Sequence, residues 1–158
     1  MTTSCIQRET IEVFADYHQF YVQDGQVNPP APEDWTDADI ARRAKVAPNV
    51  VVICPVRNMS VPVEVALHSS APQFDASEVD HIVECSLELP SGHLQVHECT
   101  GGPVLNWRIN PGHYQVLALF SRLDSLSDDG LEGDDRYRVL LWPGTERSLR
   151  VVQEWSGQ

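Results

Sequence analysis

Apolar and polar residues alternate with a period of two along most of the chain, the pattern of strands buried on one face. In "SVPVEVALH", Val61, Val63, Val65 and Leu67 share a face. In "HIVECSLEL", Val83, Cys85, Leu87 and Leu89 face one way, and Ile82, Glu84, Ser86 and Glu88 the other. "PSG" at 90–92 turns the chain into "HLQVHE", where Leu94 and Val96 continue the pattern, so a hairpin is expected with Gly92 supplying a positive φ. A second hairpin is expected from "VLNWRI", with Leu105, Trp107 and Ile109 inward, through Asn110-Pro111-Gly112 into "HYQVLALF", with Tyr114, Val116, Ala118 and Phe120 inward. The strands "RYRVLLW" and "SLRVVQEW" follow, and upstream "TIEVFA" and "HQFYVQ" read as a further pair. The unbroken "VVVICPV" at 50–56 reads as a strand buried on both faces or as part of the core.

One stretch has helical character. Thr36 in "WTDADIARRAKV" can cap, Asp39 stands three residues on, and Asp37 and Asp39 suit the positive end of the helix dipole. A short helix near residues 36–46 is expected, ending before Pro48, with "NPPAPED" as a connecting loop. About eight to nine short strands, frequent turns and one helix predict an all-β antiparallel sandwich. A length of 158 residues predicts a single domain spanning 1–158.

Charge narrows the partners. The chain holds 23 acidic and 11 basic residues, a net charge of −12. That field repels phosphates, so direct nucleic-acid binding is not expected, whereas a basic protein or a cation is attracted. No apolar run approaches the roughly 20 residues that span a bilayer, and the opening "MTTSCIQRETIEVF" does not read as a signal peptide. A cytoplasmic protein without membrane association is expected, its four cysteines (Cys5, Cys54, Cys85, Cys99) free thiols without CxxC spacing. The oligomeric state has no signal here.

Acidity concentrates in "DSLSDDGLEGDD" at 124–135, six carboxylates without a base. An EF-hand needs oxygen ligands at positions 1, 3 and 5, Gly at 6 and Glu at 12. With Gly130 at position 6, Ser125, Ser127 and Asp129 take the first three places, but Arg136 stands where the closing Glu belongs. Three readings remain open: a solvated connection, a looser Ca²⁺ site, or a surface for a basic partner. For the last, the residues are Asp128, Asp129, Glu132, Asp134 and Asp135, with Trp35, ringed by acids and placed to be exposed, as an aromatic anchor. Trp155 is also placed to be exposed.

Catalytic constellations are weak. His93, His97 and Cys99 share strand parity, yet strand ligands four residues apart are too far to share a zinc without a bend. Asp80-His81 lacks a serine in a GxSxG elbow, Cys85 has core parity, and "TGGPV" has no helix to complete a phosphate loop. No catalytic residue and no cofactor are assigned.

A resemblance adds to this reading. "SAPQFDASEVDHIVECSLELPSGHLQV", "INPGHYQV" and "GDDRYRVLLWPG", within roughly residues 61–144, resemble the competence protein J family of small bacterial proteins. The resemblance implies a non-enzymatic β-rich protein and, from the family's founding group, inhibition of a DNA-entry nuclease. It carries no set of functional residues. Together with the charge, it leads to the expectation of an acidic inhibitor or immunity-like partner of a basic protein such as a nuclease. The alternative expectation is a small-ligand or carbohydrate-binding sandwich, with or without stabilisation by Ca²⁺.

Overall fold

A computed structural model describes residues 5–157. It is a two-sheet β-sandwich. Its strands are β1 (Cys5–Phe14), β2 (Phe20–Asp24), β3 (Ala44–Ala47), β4 (Val50–Ile53), β5 (Ser60–His68) and β6 (His81–Leu89). They continue as β7 (His93–Glu98), β8 (Pro103–Arg108), β9 (Gly112–Ser121), β10 (Arg136–Pro143) and β11 (Arg150–Gln153). The first sheet has the order β1-β5-β10-β9-β6-β11 and the second β3-β4-β2-β7-β8. Pairing is antiparallel except between β10 and β5.

Alternation identified the inward faces correctly. Val61, Val63, Val65 and Leu67 meet Val83, Cys85, Leu87, Leu89, Leu94 and Val96 in the main core, with Leu105, Trp107, Tyr114, Val116, Ala118 and Phe120. Each fully buried Val, Leu or Phe among them contributes about 1.5–3 kcal/mol by leaving water.

Strand partners differ from expectation. β6 pairs with β9 and β11 in the first sheet, while β7 pairs with β2 and β8 in the second. The turn at 90–92 is therefore an arch crossing between layers rather than a hairpin. Gly92 does take φ +73°, and a Cβ there would collide with the Ile109 carbonyl. The segment between β8 and β9 is a second arch, since those strands also lie in different sheets. β1 pairs with β5 and β2 with β4 and β7, so the N-terminal pair is likewise split between layers. Arches and hairpins look alike in sequence: both join alternating strands through a short Gly or Pro turn.

"VVVI" is a strand buried on both faces, because its outward Val50 and Val52 are covered with Tyr21 and half-buried Trp35. The expected helix is the shorter α1 (Asp37–Arg42). Thr36 Oγ1 accepts from Asp39 N–H at 3.1 Å and Asp39 Oδ2 accepts from Thr36 N–H at 3.0 Å, a complete capping box. The helix ends where Arg43 adopts φ +62°, and the chain enters β3 directly. No helix among the described residues is long and apolar enough to cross a membrane.

Candidate functional site

The 14-residue connection from β9 to β10, residues 122–135, is built by its serines. Ser125 Oγ donates to the Arg122 carbonyl at 2.7 Å and accepts from Asp134 N–H at 2.8 Å. Ser127 Oγ donates to Asp129 Oδ1 at 2.6 Å and accepts from Glu132 N–H at 3.0 Å, while Ser127 N–H reaches the Glu132 carbonyl at 2.8 Å. Gly130 supplies the one left-handed residue of the tip, φ +74°. Asp129 also accepts from Leu131 N–H at 3.0 Å. The Ser127 hydroxyl and that N–H hold its carboxyl below the usual carboxylate range. Asp128, Asp129, Glu132 and Asp134 are exposed on this braced frame.

Asp135 is not part of that surface. It is fully buried, receives Arg57 Nε at 2.8 Å and accepts from Tyr137 O–H at 2.6 Å. Tyr137 O–H in turn accepts from Val56 N–H at 3.0 Å. Burial first, then the Asp135 carboxylate, raises the Tyr137 phenol well above its ordinary range. This network ties the acidic loop to Val56 and Arg57 in the segment after β4, and Asp135 is its structural anchor.

Below the loop lies a groove of about 450 Å³. Its walls come from six segments: Tyr17–Gln19, Trp35 and Ile40, Arg43, Cys54–Val56, Leu123 and Leu126 of the loop, and Trp155. Trp35 is half-buried rather than exposed, its Nε1–H bound to the Pro32 carbonyl at 3.1 Å and the Lys45 ammonium 5.7 Å from its ring. Trp155 is also half-buried, with the Arg43 guanidinium 5.0 Å over its ring. At the mouth, Tyr17 and His18 both take positive φ, +59° and +58°. Each such non-glycine residue costs on the order of 1–3 kcal/mol, strain that concentrates at binding sites. His18 Nδ1 lies 3.1 Å from the Pro55 carbonyl, which can only accept, so Nδ1 carries the proton.

The remaining candidates for chemistry are dispersed. His93 binds Asn106, His97 the Glu98 carbonyl, and Cys99 the Tyr21 hydroxyl. Asp80 caps Leu123 N–H, and Ser86 binds Arg147 main-chain groups. His81 is wholly buried, with Nε2 donating to the Arg42 carbonyl at 2.7 Å and Nδ1 accepting from Trp155 N–H at 3.1 Å. It fastens α1 and the C-terminal segment, and so two walls of the groove. Among the described residues no three His, Cys, Asp or Glu side chains converge as a metal site. Cys54, Cys85 and Cys99 are free thiols, with burial pushing those of Cys54 and Cys85 up to about 12.

The sequence pattern of the family described as competence protein J (ComJ) matches residues 12–141. Among solved structures, one similar fold is ComJ, inhibitor of the DNA degrading activity of NucA, from Bacillus subtilis. It aligns with TM-score 0.67 and 19% identity over 91% of this chain and 100% of that one. A second is Crocagin biosynthetic gene J, with TM-score 0.56 and 28% identity over 89% of this chain and 100% of that one. Among curated protein sequences none matches.

Proposed function

From the premise that the chain belongs to the competence protein J family, we propose that it works by binding: an acidic, non-enzymatic inhibitor of a basic protein, a nuclease, in the cytoplasm. The observation that carries the reading is the braced acidic loop, which holds Asp128, Asp129, Glu132 and Asp134 out to solvent on a serine-built frame. Preorganised carboxylates lose little entropy on binding and stand in for DNA phosphates on a surface that grips them. The fold likeness to an inhibitor of NucA supports the choice of a nuclease as partner. The net charge of −12 supports attraction to a basic surface and repulsion of free nucleic acid.

The test is inhibition. A DNA-degrading protein retained from native lysate at low salt is purified, and DNA cleavage is followed with added wild-type protein or the D128N/D129N/E132Q/D134N variant. Wild type suppresses cleavage and the neutralised variant does so weakly. Recovery of no DNA-degrading partner, or equal suppression by both proteins, would reject the proposal.

A further inference from the structure

The groove beneath the loop has the opposite electrostatic character from the loop itself. Although the chain carries 23 acidic residues, no Asp or Glu among the described residues lines this groove. Its charged wall residue is Arg43, half-buried and stacked on Trp155. Arg42, the preceding residue, is paired with Asp39 at 3.4 Å. Among the described residues Arg43 has no such ion pair. A half-buried guanidinium that has the Trp155 ring but no carboxylate recovers only part of the solvation it loses. A ligand that brings the carboxylate supplies what is missing, and the planar fork favours bidentate capture.

We propose that this groove binds a small apolar molecule bearing one carboxylate, its body between Trp35, Ile40 and Leu126 and its acid group on Arg43. The volume of about 450 Å³ lies toward the small end of the range for ligand pockets and suits one ring or a short branched chain. Tyr17 and His18, both at positive φ, line the groove. The strongly negative field of the rest of the molecule excludes polyanions, so the site selects single charge and apolar bulk together. This site shares Leu123 and Leu126 with the acidic loop but none of its carboxylates, and either assignment can fail without the other.

Trp35 and Trp155 line the groove, so occupancy changes tryptophan emission. The full chain is titrated with phenylacetate, its neutral isostere phenylacetamide and the cation phenethylamine, with thermal shift as a second readout. Phenylacetate binds about tenfold or more tighter than the amide, and the amine binds weakest. R43Q levels acid and amide, whereas R43K retains the preference. I40W, placed on the exposed flank of α1, narrows the groove and abolishes the response to all three. Equal binding of acid and amide by the wild type overturns the proposal, as does preference for the amine, persistence of the preference in R43Q, or an I40W titration like wild type. No response at about 10 mM acid also overturns it. A signal only from the tripeptide Gly-Gly-Leu would make the occupant a peptide end and reject the small-acid assignment.

Discussion

Replacing Asp135 by Ala tests whether the acidic loop is held by its buried end. The carboxylate is fully buried, and its partner Arg57 has a side chain only 12% exposed. Truncation leaves that guanidinium without its counter-charge and removes the acceptor of the Tyr137 hydroxyl. Breaking one side of a buried pair costs about 3–5 kcal/mol. Arg57 keeps some water access, so the lower end applies, and D135A is expected to cost about 3 kcal/mol. With an m-value of about 2 kcal/mol/M, the urea midpoint falls by about 1.5 M. D134A, one residue earlier and exposed, shifts stability by less than about 0.5 kcal/mol. Urea unfolding followed by circular dichroism separates them, and hydrogen exchange across 122–135 accelerates only in D135A. Equal midpoints for D135A and D134A would refute the claim that the Arg57–Asp135–Tyr137 network anchors the loop.

Gly92→Ala should cost about 2 kcal/mol or more in thermal or urea unfolding, because the arch needs φ +73° and the Ile109 carbonyl occupies the Cβ position. Thr36→Ala removes half of the capping box and should cost about 1 kcal/mol in the same assays, with faster exchange confined to α1. Acid should unfold the protein in stages. Burial depresses the pKa values of His81 and His68, so the unfolded chain takes up protons first, and stability begins to fall as pH drops below about 6.5. Asp39, held at about 2 chiefly by its bond to Lys45 and then by Thr36, adds stability that is present above the ordinary carboxylate range and lost as pH falls through 2. Stability measured against pH in H81Q should lose part of the upper stage and keep the lower one; an unchanged profile would contradict the role given to His81.

Strand faces were legible because parity is local: Val63, Cys85, Val96 and Val116 all reach the core that their spacing assigns. Layer assignment was not, because "PSG" and "INPG" carry the same turn chemistry whether the chain doubles back or crosses between sheets. Asp135 was missed for a related reason. Extending the inward parity of Tyr137, Val139 and Leu141 back by one step reaches Asp135 and marks it as buried, but its acidic neighbours read as one solvated run. Leu126 was hidden in that run too, with Leu123 just before it, although both face the groove. The groove has no local signature at all, since six distant segments build it. Trp35 was identified as notable in sequence, but its half-burial depends on packing against Tyr21 and Val52, which only the second sheet brings together.

The central claim is that the exposed carboxylates of the braced loop hold a basic, DNA-degrading partner. The most direct measurement is the inhibition constant against that partner across ionic strength, for wild type and for D128N/D129N/E132Q/D134N. Exposed charges are screened over about 8 Å at physiological salt, and four pairs at about 0.5 kcal/mol each amount to about 2 kcal/mol, or roughly thirtyfold. The account predicts wild-type inhibition that weakens steeply with salt, and a variant about thirtyfold weaker at low salt with a flattened dependence. Two parallel lines of equal strength would contradict it.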